Sequence, residues 1–328
     1  MTAISYHDTV NDLQDHMWSD AGPFARPQWF KLLEESGIRP LLVTASKDGE
    51  AIALPLREAD TGLEALTNWY AFTWRDLHTS GLASTALLEE LARDLAGRTH
   101  RVSLAKVPDE DGTLARITQA FRKAGWLVLA QPCDTNHVLD LRGRDYAQFL
   151  ADRPGPLRTT LKRKAKKVDV MVLDRFDADL WVAYEAIYAD SWKPEEGDPA
   201  LLRMFAEGES AAGRFRFAVA HHAGQAVAAQ FWTVDGTTAY IHKLAHRTSA
   251  QPLSPGTTLT AALFQRVIDR DHVQMVDFGT GDDAYKRDWM EQVRTRWQVT
   301  CLRPGALRNW PALARHMLRK LVSPVRRG

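Results

Sequence analysis

Three strand-like runs joined by two tight turns constrain this chain more than any other feature of it. Residues 214–221, 225–234 and 237–245 are rich in apolar and β-favouring side chains, and Ala223-Gly224 and Asp235-Gly236 between them are hairpin-turn signals. Helical spacing flanks this meander. Before it, Leu180, Trp181, Tyr184, Ile187 and Tyr188 recur at helical intervals behind Asp177, a helix-capping residue, and Pro199 opens a second helix through Leu201, Leu202, Met204 and Phe205. After it, a loop with Pro252 and Pro255 reaches Gly256 and a helix over 259–268. A strand over 273–278, a polar loop from Gly279 to Asp283, a short helix through Trp289 and a last strand over 297–302 follow. A helix over 158–167 and a strand over 168–173 precede the set. This order predicts a mixed, mainly antiparallel sheet with helices on both faces.

The first half repeats part of that order, though not its residues. A helix over 27–36, a hairpin about Asp48-Gly49 (41–46 and 51–57), a strand over 63–67, a helix over 84–96, a strand over 101–106, a helix over 113–123 and a strand over 126–130 are expected. The reading is therefore an α/β chain of two tandem units: 1–141, a linker at 142–157, a second unit at 158–305, and a basic tail at 306–328. With 42 Lys and Arg against 41 Asp and Glu, the net charge of +1 provides no overall field for DNA or an anionic membrane. Two cysteines, Cys133 and Cys301, cannot build a disulfide framework or a four-thiolate zinc site, so no metal is expected. No run is long and apolar enough to span a membrane, and the N-terminus lacks a basic-then-apolar signal pattern; a cytoplasmic location is the expectation.

Four short motifs stand at set places in the second half: Ser191-Trp192-Lys193 after the first long helix, Leu253-Ser254-Pro255-Gly256 before the helix that follows the meander, Asp277-Phe278-Gly279 at a strand end, and Tyr285-Lys286 with Trp289 beyond it. In this order they resemble the GNAT superfamily, and more narrowly the bacterial acetyltransferase-like branch related to the Fem peptidyltransferases, which are built as tandem GNAT units. The resemblance is tightest over about 150–302 and only architectural over 1–140. It implies an N-acyltransferase that moves an acyl group from acetyl-CoA or another acyl-CoA to an amine of a small molecule, an amino sugar or an amino acid.

The resemblance also implies roles. Ser254, Gly256, Thr257 and Thr258 form a turn at a helix N-terminus, where free N–H groups and the positive end of the dipole suit a pyrophosphate; the same residues also serve as a plain cap. GNAT relatives carry more glycine at this turn. The backbone near Lys243 and Leu244 is expected to polarise the thioester carbonyl as it becomes an oxyanion. Tyr285 is the candidate for protonating the departing thiolate, or else a packed ring. The base is open between Asp277, His242 and the loop carboxylates Asp282 and Asp283. On the acceptor side stand Trp192 and Lys193, with Gln230 as a further substrate-binding candidate; Lys286 and Lys243 are candidates to pair with a carboxylate or phosphate of an anionic acceptor, or else solvated side chains. His242 and His246, four apart on a strand, make a poor metal pair without a third ligand.

The six basic residues between Arg158 and Lys167 point in too many directions for a groove-reading helix, and no aromatic residues interleave among them. Either they form a solvated face or they meet phosphates. The second alternative connects to relatives that use aminoacyl-tRNA, but the chain shows no inserted helical arm of the kind several of those enzymes use for tRNA, so tRNA is disfavoured. A non-catalytic binding protein of the same fold is the remaining alternative. Asp277-Phe278-Gly279 matches a kinase motif as a string, yet no glycine-rich loop or His-Arg-Asp loop precedes it.

Overall fold

The computed structural model describes residues 1–13, 18–19, 21–79 and 85–311. In chain order its elements are β1 Ala3–His7, α1 Pro27–Glu35, β2 Leu41–Lys47, β3 Glu50–Ala59, β4 Gly62–Ala65, β5 Leu77–His78, α2 Thr85–Leu95, β6 Arg101–Val107, α3 Thr113–Lys123 and β7 Leu127–Asp140. They continue with α4 Tyr146–Ala151, α5 Gly155–Lys164, β8 Asp169–Leu173, α6 Ala178–Ala189, α7 Pro199–Ala211, β9 Phe215–His222, β10 Gln225–Asp235, β11 Thr238–His246, α8 Pro255–Asp269, β12 Met275–Thr280 and β13 Gln292–Leu302. The chain divides into a first unit of Met1–Asp134 with Thr295–Gly328 and a second of Thr135–Arg294.

In the first unit the strand order is β1-β2-β3-β4-β6-β13. The run is antiparallel up to β4, parallel between β4 and β6 at Leu63↔Val102 and Glu64↔Ser103, and antiparallel between β6 and β13. The second unit follows the same scheme as β8-β9-β10-β11-β12-β7: antiparallel to β11, parallel between β11 and β12, antiparallel between β12 and the end of β7. Each closing strand therefore comes from the far side of the chain. The sequence reading closed each unit with its own last strand and placed the joint at 142–157. Strand periodicity marks a strand but not its partner, and residues 142–157 instead contribute α4 and the start of α5. The expected basic tail lies, from 312 onward, outside the described residues, as does Ser84 at the start of the expected second helix.

Both faces of the second unit's sheet are filled by side chains that the sequence pattern had marked. On one face α8 lays Leu259, Leu263, Phe264 and Val267 on Ala228, Trp232 and Val276, all buried. Phe264 stacks on Phe149 at 4.7 Å and on Trp289 at 5.1 Å. Side chains of this size each contribute on the order of 2 kcal/mol by burial. On the other face α6 and α7 cover Phe215, Phe217 and Phe231 with Trp181, Tyr184 and Phe205. Both helices start as their sequence requires: Asp177 accepts from the N–H of Asp179 and Leu180, and Asp198 from that of Leu201, with Pro199 at the first helical position.

Candidate active site

Strands β11 and β12 pair over three residues only, Thr238↔Met275 to Tyr240↔Asp277. Beyond that point β11 runs on to His246 while still paired with β10 on its other side, so its edge facing β12 is released. The cause is a bulge. Lys243 sits opposite Phe231 and Ile241 opposite Trp232, which leaves His242 as an extra residue on β11. A bulge bends its strand and breaks strict alternation of faces. His242 and Lys243 consequently both meet the α6 and α7 side, at Phe205 and at Tyr188 respectively, whereas Leu244 joins the core under α8.

The helix α8 begins beside this released edge. Ser254 adopts φ +52°, Pro255 occupies the first helical position, and a side chain at Gly256 would stand 3.5 Å from Leu244 and 3.8 Å from His246. Thr258 N–H reaches back to the Ser254 carbonyl at 3.4 Å, but the N–H groups of Gly256 and Thr257 have no carbonyl one turn earlier. Ser254 does not cap them. Its hydroxyl instead accepts from the Lys164 ammonium at 3.0 Å, which brings the end of the basic run 158–167 to the positive end of α8. Two backbone donors, a helix dipole and a lysine converge there, and that set suits a pyrophosphate. Under the same turn, Thr260 links the Gly256 carbonyl (2.9 Å) to the Gln230 amide oxygen (3.1 Å), and the Gln230 amide nitrogen is buried with no hydrogen-bond partner among the described residues. Gln230 thus supports the first turn of α8 from beneath.

Other expected site residues fall into different roles. Asp277 is buried and accepts from the Asn136 amide at 3.1 Å and from Gly279 N–H at 2.7 Å, which makes it a brace for the loop leaving β12. His242 bonds the Thr233 hydroxyl at 2.8 Å and stacks on Phe231 at 5.0 Å. Desolvation of the ring between Phe205 and Phe231, aided by the Lys243 charge, pushes its imidazole down to about 3, so it is a weak base held neutral there. His246 lies away from it, under Trp192 at 4.3 Å. Asp282 is held by Arg287 at 2.6 Å and by His137 at 2.9 Å. Tyr285 packs edge-on to Phe278 at 5.3 Å, and burial together with Asp283 raises its phenol well above the usual range. It stays an O–H donor at neutral pH.

The connection between α6 and α7, where the sequence reading expects the acceptor, encloses a cavity. It measures about 600 Å³ and is walled by Trp181, Tyr184 and Tyr188, with Lys193, Glu185, Glu195 and Glu196 on its polar side. Lys243, buried on β11, donates to Glu196 at 2.7 Å and lies over the Tyr188 ring. Lys286 is turned inward, donating to the carbonyls of Thr280 (2.6 Å) and Gly281 (3.3 Å). The sequence reading named Lys193, Lys243 and Lys286 but missed Glu196, whose only signal is its place three residues after Ser191-Trp192-Lys193. It also missed the meeting of Lys164 with Ser254, 90 residues apart. Among the described residues no group of three or more His, Cys, Asp or Glu is placed to hold a metal ion, and no helix is long and apolar enough to cross a membrane.

Residues 155–287 match the family model described as an acetyltransferase (GNAT) domain, which spans the whole of this site from Lys164 to Lys286. Among solved structures the chain is similar to FemX, with a TM-score of 0.64 at 10% identity, covering 97% of this chain and 99% of that one. This is a Fem-like GNAT fold. A conserved protein of unknown function from Bacteroides thetaiotaomicron shares it at a TM-score of 0.63 and 13% identity, over 92% of this chain and 100% of that one. So does L-PGS from Bacillus licheniformis, at 0.57 and 13%, over 92% and 98%. No curated protein matches this sequence. The bulged β11, its parting from β12 and the helix that starts at Pro255 all fall inside the segment that matches the acetyltransferase (GNAT) domain model.

Proposed function

We propose that the second unit is an N-acyltransferase that moves an acyl group from acyl-CoA to an amine of a small molecule, an amino sugar or an amino acid. The observation that carries this reading is the release of β11 from β12 directly beside the uncapped first turn of α8. Gly256, Thr257 and Lys164 hold the donor's pyrophosphate, with Ser254 and Thr258 shaping the turn. The thioester lies along β11 beyond its pairing with β12, where the backbone at Lys243 and Leu244 polarises the carbonyl. The acceptor enters through the α6–α7 cavity past Trp192 and Lys193. Nitrogen attacks the carbonyl carbon, the C–S bond breaks, and the Tyr285 hydroxyl supplies a proton to the thiolate. Asp277 and His242 take no part in proton transfer in this reading; they set the loop after β12 and the bulge. Lys286 orders the same loop through the Thr280 carbonyl.

Calorimetric titration with acetyl-CoA tests it. The native chain should bind, Gly256→Ala should bind within a few-fold, and Gly256→Asp should not. An aspartate in the first turn suits the helix dipole, so α8 survives while the added charge repels phosphate. Absence of binding by the native chain would refute the acyl-CoA donor.

A second reading is aminoacyl-tRNA as donor. It draws on the likeness to FemX and L-PGS and on the basic run 158–167, whose Lys164 stands beside the same helix N-terminus. Salt-dependent retention of an aminoacyl-tRNA, weakened by charge reversal at Lys162 and Lys164, would favour it over acyl-CoA.

A further inference from the structure

Three lysines of the second unit come together where β11 and β12 part, and they are not alike. Lys243 has the Glu196 carboxylate, and Lys286 has two backbone carbonyls. Lys193 has neither. Its ammonium stands 5.6 Å from the centre of the Trp192 ring, and among the described residues it makes no hydrogen bond or ion pair. An ammonium has three donors to satisfy, so a half-buried lysine left with none is poorly stabilised as a cation. Of the carboxylates lining its cavity, Glu196 is committed to Lys243, while Glu185 and Glu195 hold no ion pair among the described residues.

We propose that Lys193 takes the proton from the acceptor's ammonium, and that the cavity selects a primary amine whose body bears no anionic group. The proposal rests on the N-acyltransferase reading and deepens it. The amine arrives as R–NH3+, drawn by Glu185 and Glu195, and its body lies against Tyr184 and Tyr188. Neutral Lys193 accepts one proton to give R–NH2 and the Lys193 ammonium. The nitrogen lone pair then forms the C–N bond to the thioester carbonyl, the C–S bond breaks with its electron pair going to sulfur, Tyr285 protonates the thiolate, and the second nitrogen proton restores the Tyr285 hydroxyl. Lys193 returns its proton to solvent before the next turnover. A carboxylate or phosphate on the acceptor would meet Glu185 and Glu195 and be repelled.

The charges around Lys193 bear this out. Burial lowers its pKa to about 8, helped by the nearby ammonium of Lys243 and less by that of Lys286, against the opposing pull of Asp283 and Glu196. Tyr188, whose phenol burial pushes up to about 12, adds no charge at neutral pH. His246 lies beyond the Trp192 ring. A lysine near 8 is neutral often enough to act as a base and basic enough to strip an ammonium.

Two measurements test the proposal. Competitive labelling of the full chain with trace acetic anhydride between pH 6 and 11, read by peptide mass spectrometry, should give Lys193 a midpoint near pH 8, about two pH units below exposed lysines. A midpoint among the exposed lysines overturns the proton-acceptor role, whatever the donor proves to be. Acetylation of tyramine against tyrosine, and of glucosamine against glucosamine 6-phosphate, with acetyl-CoA should favour the first member of each pair. Lys193→Met should lower kcat about 100-fold and erase the acidic limb near pH 8 while acetyl-CoA binding by calorimetry is unchanged. Lys193→Arg should not rescue it, because a guanidinium does not deprotonate. Preference for the anionic member, acetylation of neither pair, or an unaltered pH profile in Lys193→Met overturns the proposal; loss of acetyl-CoA binding in the native chain is a separate failure, that of the donor reading.

Discussion

The two units share one strand scheme and treat the end of their parallel strand pair in opposite ways. In the first, β4 and β6 pair over two residues and the space beyond is filled by the chain itself. Trp74 N–H donates to the Lys106 carbonyl, the Lys106 ammonium donates to the carbonyls of Asn68 and Ala71, and Tyr70, Phe72 and Trp74 are buried there. Lys106 holds φ +61° to do so, a conformation costly for a residue with a side chain and kept because three hydrogen bonds depend on it. In the second unit no aromatic segment of this kind is paired with the corresponding stretch of β11 among the described residues. The groups nearest it are instead the three lysines and the turn at Ser254 to Thr258. Two units of one strand scheme can thus differ at the same place, one filling it with aromatic side chains and the other, in the function proposed here, taking a ligand there.

This contrast breaks most visibly at the donor turn. Gly256→Asp should weaken acetyl-CoA binding at least 100-fold, about 3 kcal/mol, whereas Lys106→Met should change it less than about two-fold; equal effects from both variants would abolish the distinction between the units. Next in size is the filling of the first unit. Trp74→Ala removes a fully buried indole and its bond to the Pro55 carbonyl, and should cost about 3–5 kcal/mol in denaturant unfolding while acetyl-CoA affinity in the folded fraction stays put. Glu196→Gln should cost about 2–3 kcal/mol by leaving Lys243 without its counter-charge, and should lower the labelling midpoint of Lys193 as well, because the Glu196 charge raises it. Smallest over any one pH unit is the effect on acid stability. His242 is depressed in the folded chain, so the stability it contributes is whole above pH 6.5 and is lost progressively as pH falls from 6.5 toward 3, with a slope of at most about 1.4 kcal/mol per pH unit. His242→Gln should flatten that part of the curve, and an unchanged slope would show that the imidazole is not held neutral.

Much of this architecture was legible in local sequence, and the failures have physical causes. Asp235-Gly236 and Ala223-Gly224 announced the meander because a two-residue hairpin needs their backbone conformations; Ala223 and Gly224 both take positive φ. Helix α8 was read from Leu259 although it starts at Pro255, since Gly256, Thr257 and Thr258 are weak helix formers that tertiary packing overrides. Helix α4 went unread even though Asp145 and Gln148 spell a capping box, which is formed in both directions. The bulge at His242 leaves no mark in the alternation of Ile241, His242, Lys243 and Leu244. For that reason the packing of the His242 ring between Phe205 and Phe231, and the pairing of the Lys243 ammonium with Glu196, went unread. The contact of Lys164 with Ser254 and the exchange of closing strands between β7 and β13 depend on partners far away in sequence, which no local pattern encodes.

The central claim is that the donor's phosphates lie on the first turn of α8 and not in the first unit. Amide resonances of the ¹⁵N-labelled chain, followed as coenzyme A is added, test this most directly. The account predicts that the N–H signals of Gly256 and Thr257 shift with saturation while those of Ala71 and Trp74 do not move. Shifts confined to the segment from Asn68 to Trp74, or none at Gly256 and Thr257 at saturation, would contradict it.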